Sequence, residues 1–178
     1  MALREINRYL NVAGCSIYFC PDGSTPEQDP LGIDQEVTLP SVTHPTSDVQ
    51  LMGTASIPVQ TSIEDMECTI NLPDSAAANK CRKKGVVTFL IYHAVSISDC
   101  QTGEVNLGGF KAKVSGIISG KEGLNVTPQG ETSTAITLKV LRYQFVDDEG
   151  NQVIDIDRPA GVLKINGEDY RSELKNLL

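Results

Sequence analysis

The stretch at residues 49–63 reads VQLMGTASIPVQTSI. Its odd positions hold Val49, Leu51, Gly53, Ala55, Ile57, Val59, Thr61 and Ile63; its even ones hold Gln50, Met52, Thr54, Ser56, Pro58, Gln60 and Ser62. A period of two held this long predicts a half-buried strand or the arm of a hairpin, with one face apolar and the other wet. Pro58 donates no ladder hydrogen bond, so it suits an edge, a bulge or a break, and a bend is expected near it.

The same period recurs on either side. Residues 35–40 (QEVTLP) give a short strand with Val37 and Leu39 on one face, and 67–72 give another that aligns Cys68, Ile70 and Leu72. Residues 86–97 carry apolar side chains on both faces, which predicts a central strand covered on two sides. Phe110, Ala112 and Val114 alternate with Lys111 and Lys113, and a long strand is expected from Thr134 to Val146. DDEGN at 147–151 and Asn166-Gly167 read as tight turns, and 120–123 as a glycine-rich one. The one strong helix signal is PDSAAANKCRKKG, with Pro73, Asp74 or Ser75 opening about ten helical residues and Gly85 closing them. Seven or eight strands and one short helix make the class mainly antiparallel β, a sandwich or barrel. Residues 21–34, rich in Pro, Asp and Gly, read as a loop.

The chain has 178 residues, which at roughly 150 residues per domain predicts a single domain over 1–178. Its 15 Lys and Arg stand against 23 Asp and Glu, for a net charge of −8. That balance argues against a general affinity for nucleic acid or anionic lipid. MALREINRYLNVAG lacks the apolar core of a secretory signal. The longest apolar stretch, Val86 to Val95, falls far short of the ~20 residues that span a bilayer. Five cysteines (Cys15, Cys20, Cys68, Cys81, Cys100), odd in number and without C-x-x-C spacing, predict reduced thiols rather than disulfides or a zinc site.

Catalytic signals are weak throughout. His44 and His93 are the only histidines, and neither lies near a nucleophile motif such as G-x-S-x-G. A Cys–His pair drawn from Cys81, Cys100 and His93 is outweighed by a structural thiol and a strand histidine. Asp155 and Asp157 share a strand face but lack further ligands, and being solvated or paired with a group such as Arg158 is the simpler expectation. Gly108-Gly109 and GIISG at 116–120 lack the context of a phosphate loop and read as bends or bulges. No catalytic residue, metal or cofactor is expected. Lys80, Arg82, Lys83 and Lys84 form one concentrated positive patch, read either as a solvated helix end or as a contact for an acidic partner protein.

Several segments together resemble the major tail tube proteins of phages with contractile tails, the group that also supplies the tube of phage-tail-like bacteriocins. They are Ile6, Asn7, Asn11-Val12 and Gly14; Val37-Thr38-Leu39-Pro40; Met52-Gly53; the run at 66–72; and a closing pattern of Tyr143, Phe145, Gly150, Ile156-Asp157, Ile165-Asn166-Gly167, Asp169-Tyr170 and Leu177-Leu178. The resemblance is colinear over nearly the whole chain and loosest from 76 to 134.

The resemblance implies a non-enzymatic building block, a β-sandwich with a flanking helix. In that family six-subunit rings join their sheets into a continuous barrel and stack into a hollow tube inside a contracting sheath. The implied partners are copies of the chain itself, the sheath protein, the baseplate or tail initiator, and the tape measure protein, with DNA as passive cargo. The implied location is the virion tail, assembled in the host cytoplasm. Within that frame Thr54, Ser56, Gln60 and Ser62 suit a lumen, because hydroxyls and amides let a polyanion slide where Lys or Arg would hold it. Val49, Leu51 and Met52 form an apolar tip that suits a ring-to-ring contact. Open sheet edges would join subunit to subunit. Competing readings are a type VI secretion tube protein, a soluble β-barrel module with a closed ligand pocket, and a hydrolase built on His44 or His93.

Overall fold

The computed structural model describes residues 8–51, 53–99, 104–121 and 132–172. Twelve strands and one helix follow in chain order: β1 (Arg8–Cys20), β2 (Gly32–Ile33), β3 (Val37–Thr38), β4 (Thr46–Leu51), β5 (Gly53–Pro58), β6 (Met66–Leu72), α1 (Ser75–Lys80), β7 (Val86–Asp99), β8 (Val105–Lys121), β9 (Thr134–Val146), β10 (Gln152–Asp157), β11 (Val162–Ile165) and β12 (Glu168–Asp169). All pairings are antiparallel. The mainly β class expected from the pattern is the one observed, with more strands than the seven or eight read from the sequence, three of them (β2, β3 and β12) of only two residues.

Ten strands form one sheet in the order β12-β11-β10-β9-β8-β7-β1-β2, with β6 on β9 and β3 on β6. β7 lies between β1 and β8, as its two apolar faces predict. Val87, Phe89 and Ile91 point into the core, while Thr88 and Leu90 on its other face are also buried. Along its edge away from β8, β9 takes two partners: β6 opposite 134–140 and β10 opposite 142–146. The partner changes at a bulge, since Ser115 pairs with Arg142 and Gly116 with Val140, leaving Leu141 as the extra residue. That one residue inverts the alternation, so Ile136, Leu138 and Val140 face the core before it and Tyr143 after it. With its edge strands diverging, the sheet bends around one apolar cluster that runs from Ile17 and Phe19 through Phe89 and Val114 to Ile156 and Leu163. Among the described residues it does not close into a barrel.

Gly116 sits at the bulge because nothing larger fits: a Cβ there would lie 2.3 Å from the Lys139 carbonyl oxygen. The 166–167 turn is equally specific. Asn166 (φ 51°) and Gly167 (φ 82°) both occupy the left-handed region, as a two-residue type I′ hairpin requires. The helix is shorter than predicted, six residues rather than about ten. Asp74 caps it, its carboxylate accepting from the Ala77 amide at 2.6 Å. Ala78 and Cys81 are buried, one turn's worth of packing, and the Lys-Arg run beyond adds no apolar side chain to extend it. Gly85 (φ 94°) turns the chain into β7 instead of closing the helix. Residues 21–34 are stitched along β1 by Glu27 N to Phe19 O (2.9 Å), Leu31 N to Ile17 O (2.7 Å) and Asp34 N to Cys15 O (2.7 Å).

Candidate functional site

Two parts of the chain stand apart from the core. The first is the 49–63 run with the residues before it. β4 and β5 make a two-stranded sheet of their own, in register from Thr46 opposite Pro58 to Leu51 opposite Gly53. The hairpin alternative is therefore the observed one, and the chain turns just past Pro58 as expected. At its base two apolar side chains stay uncovered among the described residues, Ile57 being 43% and Val59 37% exposed. A lone hairpin is marginal in water, so its base must be held, and it is. Val59 N donates to Pro45 O at 2.7 Å and Glu64 N to Thr43 O at 2.8 Å. Four successive carbonyls then each accept a side-chain bond. Thr61 O takes Arg171 Nε at 2.9 Å, and Ser62 O takes His44 Nδ1–H at 2.7 Å. Ile63 O and Glu64 O both take Arg158 Nη2, at 3.0 and 2.8 Å. Arg158 Nη1 completes the clamp on Asp65 at 2.8 Å and holds that carboxyl below its ordinary range, while the His44 ring stacks on Tyr170.

Nothing in the local sequence announces this clamp, because Arg158 and Arg171 come from far along the chain. Arg158 was expected beside Asp155 or Asp157. Instead Arg142 Nε pairs with Asp157 at 3.0 Å and Gln144 Nε2 donates to Asp155 at 3.1 Å, because the 142/157 and 144/155 positions face each other across β9 and β10.

Of the expected lumen residues, Thr54 and Ser56 fall on β5, and Gln60 and Ser62 on the segment returning from it. Ser56 is exposed and donates to Asp48 across the hairpin, Gln60 is exposed, and Ser62 is half-buried. Val49 and Leu51 lie near the end of β4 opposite Ala55 and Gly53; Met52 lies outside the described residues. The basic cluster is divided. Lys80 pairs with Glu27 at 2.6 Å, Lys83 Nζ lies 5.3 Å from the Phe19 ring centre, and Arg82 and Lys84 are exposed.

The second part is a flap. The last β8–β9 pair is Lys111 with Val146, so residues 105–110 of β8 continue past β9 with β7 on one side and, among the described residues, no strand on the other. β7 and the first half of β1 run out with them, from Arg8 opposite Asp99 to Gly14 opposite Ala94. Leu107 is 83%, Val12 67% and Val105 62% exposed, the three highest exposures among the large apolar side chains described.

Enzyme-like chemistry is not assembled among the described residues. A cleft of about 530 Å³ holds Lys113, Arg142, Asp155 and Asp157 beside the Asp22 turn, with the two aspartates engaged as above. His93 Nε2 is buried without a partner and its pKa is lowered by burial. Cys15, Cys20, Cys68 and Cys81 are free and buried, and burial pushes the Cys68 and Cys81 thiols up to about 12, away from nucleophilic use. Cys100 lies outside the described residues. No metal-holding group of His, Cys, Asp or Glu occurs among the described residues. No described helix is long and apolar enough to cross a membrane.

A β-sheet around one buried apolar cluster, with a clamped arm and a strand flap that keep apolar side chains exposed among the described residues, has the form of an assembly subunit. The model of the phage tail tube protein FII family matches residues 27–178, and the chain belongs to that family. No curated protein matches the chain. The protein is thus a structural component of a virion tail, a tube-forming subunit that meets its own copies and other tail components.

Proposed function

We propose that the protein is the protomer of the inner tube of a contractile phage tail or a phage-tail-like particle. Six copies form a ring, and rings stack into a hollow conduit for DNA passage or membrane penetration. The observation that carries this reading is the β4–β5 arm: it hydrogen-bonds to no other strand among the described residues, keeps apolar side chains in solvent, and is nonetheless anchored by four carbonyl contacts. A rigidly mounted, apolar, unpartnered hairpin is stable in use only when another surface covers it. Val49, Leu51 and Met52 meet the next ring. Thr54, Ser56, Gln60 and Ser62 line the bore, and none of the four carries a positive charge that would hold a polyanion. The sheath encloses the tube, the baseplate or tail initiator starts it, the tape measure protein sets its length, and DNA passes as inert cargo. The protomer works as a building block, without catalysis, over the single unit 1–178.

Negative-stain imaging of the purified protein tests this. Wild type should give rings or tubes, and Leu51→Asp should give folded subunits or single rings that do not elongate. Monomers at high concentration, offered a tail initiator, would refute the assembly reading, and normal tubes from Leu51→Asp would refute the contact. A reconstructed tube with Ser56 and Gln60 against the sheath side would refute the bore assignment.

A further inference from the structure

Two places in the chain set a glycine directly after an Asp or Asn, Asp22-Gly23 and Asn166-Gly167, and the structure treats them in opposite ways. In such a pair the glycine nitrogen, once deprotonated, can attack the γ-carbon of the preceding side chain, and the missing Cβ leaves the approach open. Asp22 is closed to this. The Gly23 amide donates to Cys20 O at 3.1 Å, and the Thr25 and Ser24 amides donate to the Asp22 carboxylate at 2.7 and 2.9 Å. Those two bonds hold the carboxyl far below its ordinary range, so the neutral acid that could lose water is scarce. At 166–167 these restraints are missing. Asn166 and Gly167 are exposed, and a Cβ at Gly167 would meet nothing within 4 Å. Neither the Gly167 amide nor the Asn166 side chain has a hydrogen bond among the described residues. The turn is fixed by its outer atoms instead, through Asn166 N to Val153 O at 2.7 Å and the Ile165–Glu168 pair. The peptide unit between the two residues can therefore rotate without giving up a bond. Rotation converts type I′ to type II′, which suits the same hairpin and keeps Asn166 at positive φ while its ψ reverses sign. That reversal brings the Gly167 nitrogen toward Asn166 Cγ. A residue with a Cβ visits this conformation rarely, which makes the reaction slow but does not close it.

We propose that Asn166 is a site of spontaneous deamidation whose isoaspartyl product loosens the C-terminal side of the arm clamp. Gly167 N loses its proton to hydroxide and bonds to Asn166 Cγ. The Cγ–Nδ2 bond breaks, and the nitrogen takes up a proton from water and departs as ammonia, leaving a succinimide ring. Water then adds to one of the two ring carbonyls and breaks its bond to the ring nitrogen. Opening at Cγ gives an aspartyl residue; opening at the main-chain carbonyl gives an isoaspartyl one, whose backbone runs through Cβ and Cγ and is one atom longer. A two-residue turn has no slack for that atom. β12 is only Glu168–Asp169, and just beyond it Tyr170 N donates to Leu163 O at 3.0 Å, the Tyr170 ring stacks on His44, and Arg171 Nε reaches Thr61 O at 2.9 Å. Gly167 and Tyr170 also border one open cleft of about 550 Å³ with Gln60 and Thr61, so the turn and the return segment of the arm are neighbours.

Full-length protein held at pH 8 in heavy-oxygen water, then digested and read by mass spectrometry, tests the chemistry. The peptide with Asn166 should take up heavy oxygen as a mixture of aspartyl and isoaspartyl products, at a rate proportional to hydroxide. Asn71, Asn79, Asn106 and Asn151, each followed by a larger residue, should stay unchanged over the same time, as should Asp22. Hydrogen exchange tests the consequence. The bonded amides of Val59, Ser62 and Tyr170 should exchange faster as the isoaspartyl fraction grows, while Asn166→Gly, whose two glycines suit a type I′ turn, should keep its exchange after equal ageing. A change at Asn166 no faster than at Asn71 or Asn151, or a product that is wholly aspartyl, would overturn the site. Unaltered exchange in isoaspartyl-rich protein would overturn the loosening. Both readouts are independent of whether the chain builds a tube.

Discussion

Replacing Arg158 with alanine should loosen the arm at its base. The guanidinium makes three bonds, two to the carbonyls of Ile63 and Glu64 and one to the Asp65 carboxylate. The Asp65 contact adds little, since that side chain is 76% exposed and its partner is shared with water. The two carbonyl bonds have a charged donor whose side chain is only 28% exposed, and such bonds contribute roughly 1.5–3 kcal/mol each before water recovers part of the loss. About 3 kcal/mol is therefore expected in total, which for a chain of this size lowers the unfolding midpoint by about 6–12 °C. The loss should be localised: amide exchange should rise through 59–65 and the hairpin while β7 keeps its protection. Arg158→Lys, which offers a point charge in place of a fork, should recover only part of it. Acid should act on the same clamp. The Asp65 carboxyl is depressed in the folded state by its bond to Arg158, so its contribution is complete above its unfolded value near 4 and fades as pH falls through the lower folded value. An Arg158→Ala protein with an unchanged midpoint and unchanged exchange at 59–65 would refute the clamp.

Two further outcomes test the body of the fold. Gly116→Ala should cost more than ~2 kcal/mol, because a methyl 2.3 Å from the Lys139 carbonyl oxygen forces the β8–β9 bulge open; a midpoint within ~1 °C of wild type would contradict that geometry. Cys68, fully buried and with its thiol raised to about 12, should resist a disulfide reagent at pH 8 in the native protein and react on unfolding, as labelled-peptide mass spectrometry would show; fast native labelling at Cys68 would mean the core opens.

Much of the sheet was legible because its strands obey the period they should. Thr134–Val146 is a strand with the expected ends, and Cys68, Ile70 and Leu72 share the buried face expected of them. What resisted reading was of three kinds. The bulge at Leu141 inverts a face midway along β9, and a single extra residue leaves no trace in composition. The helix signal overran because alanine and lysine favour helix locally, whereas burial stops at Cys81. The clamp was invisible because a guanidinium on a backbone carbonyl needs no periodicity and no matching side chain, and the contact crosses 94 or 95 residues of chain.

The most instructive divergence is the 49–63 run itself. Its alternation correctly announces a β arm with an apolar side, and yet Ile57 and Val59 are exposed where alternation ordinarily marks a face turned to the core. The pattern reports that a face is to be covered; it does not say by which chain. The flap repeats the lesson with Val12, Val105 and Leu107, bare in one copy although the core cluster beneath the sheet is filled. Uncovered apolar surface of this kind costs solubility in a solitary chain and returns stability at roughly 25 cal/mol per Å² once another chain covers it. Both places lie outside the buried cluster, Ile57 and Val59 at the base of the arm and Val12, Val105 and Leu107 on the free ends of the flap strands. That separation lets a subunit fold alone and still associate, which is the order of events a growing tube requires.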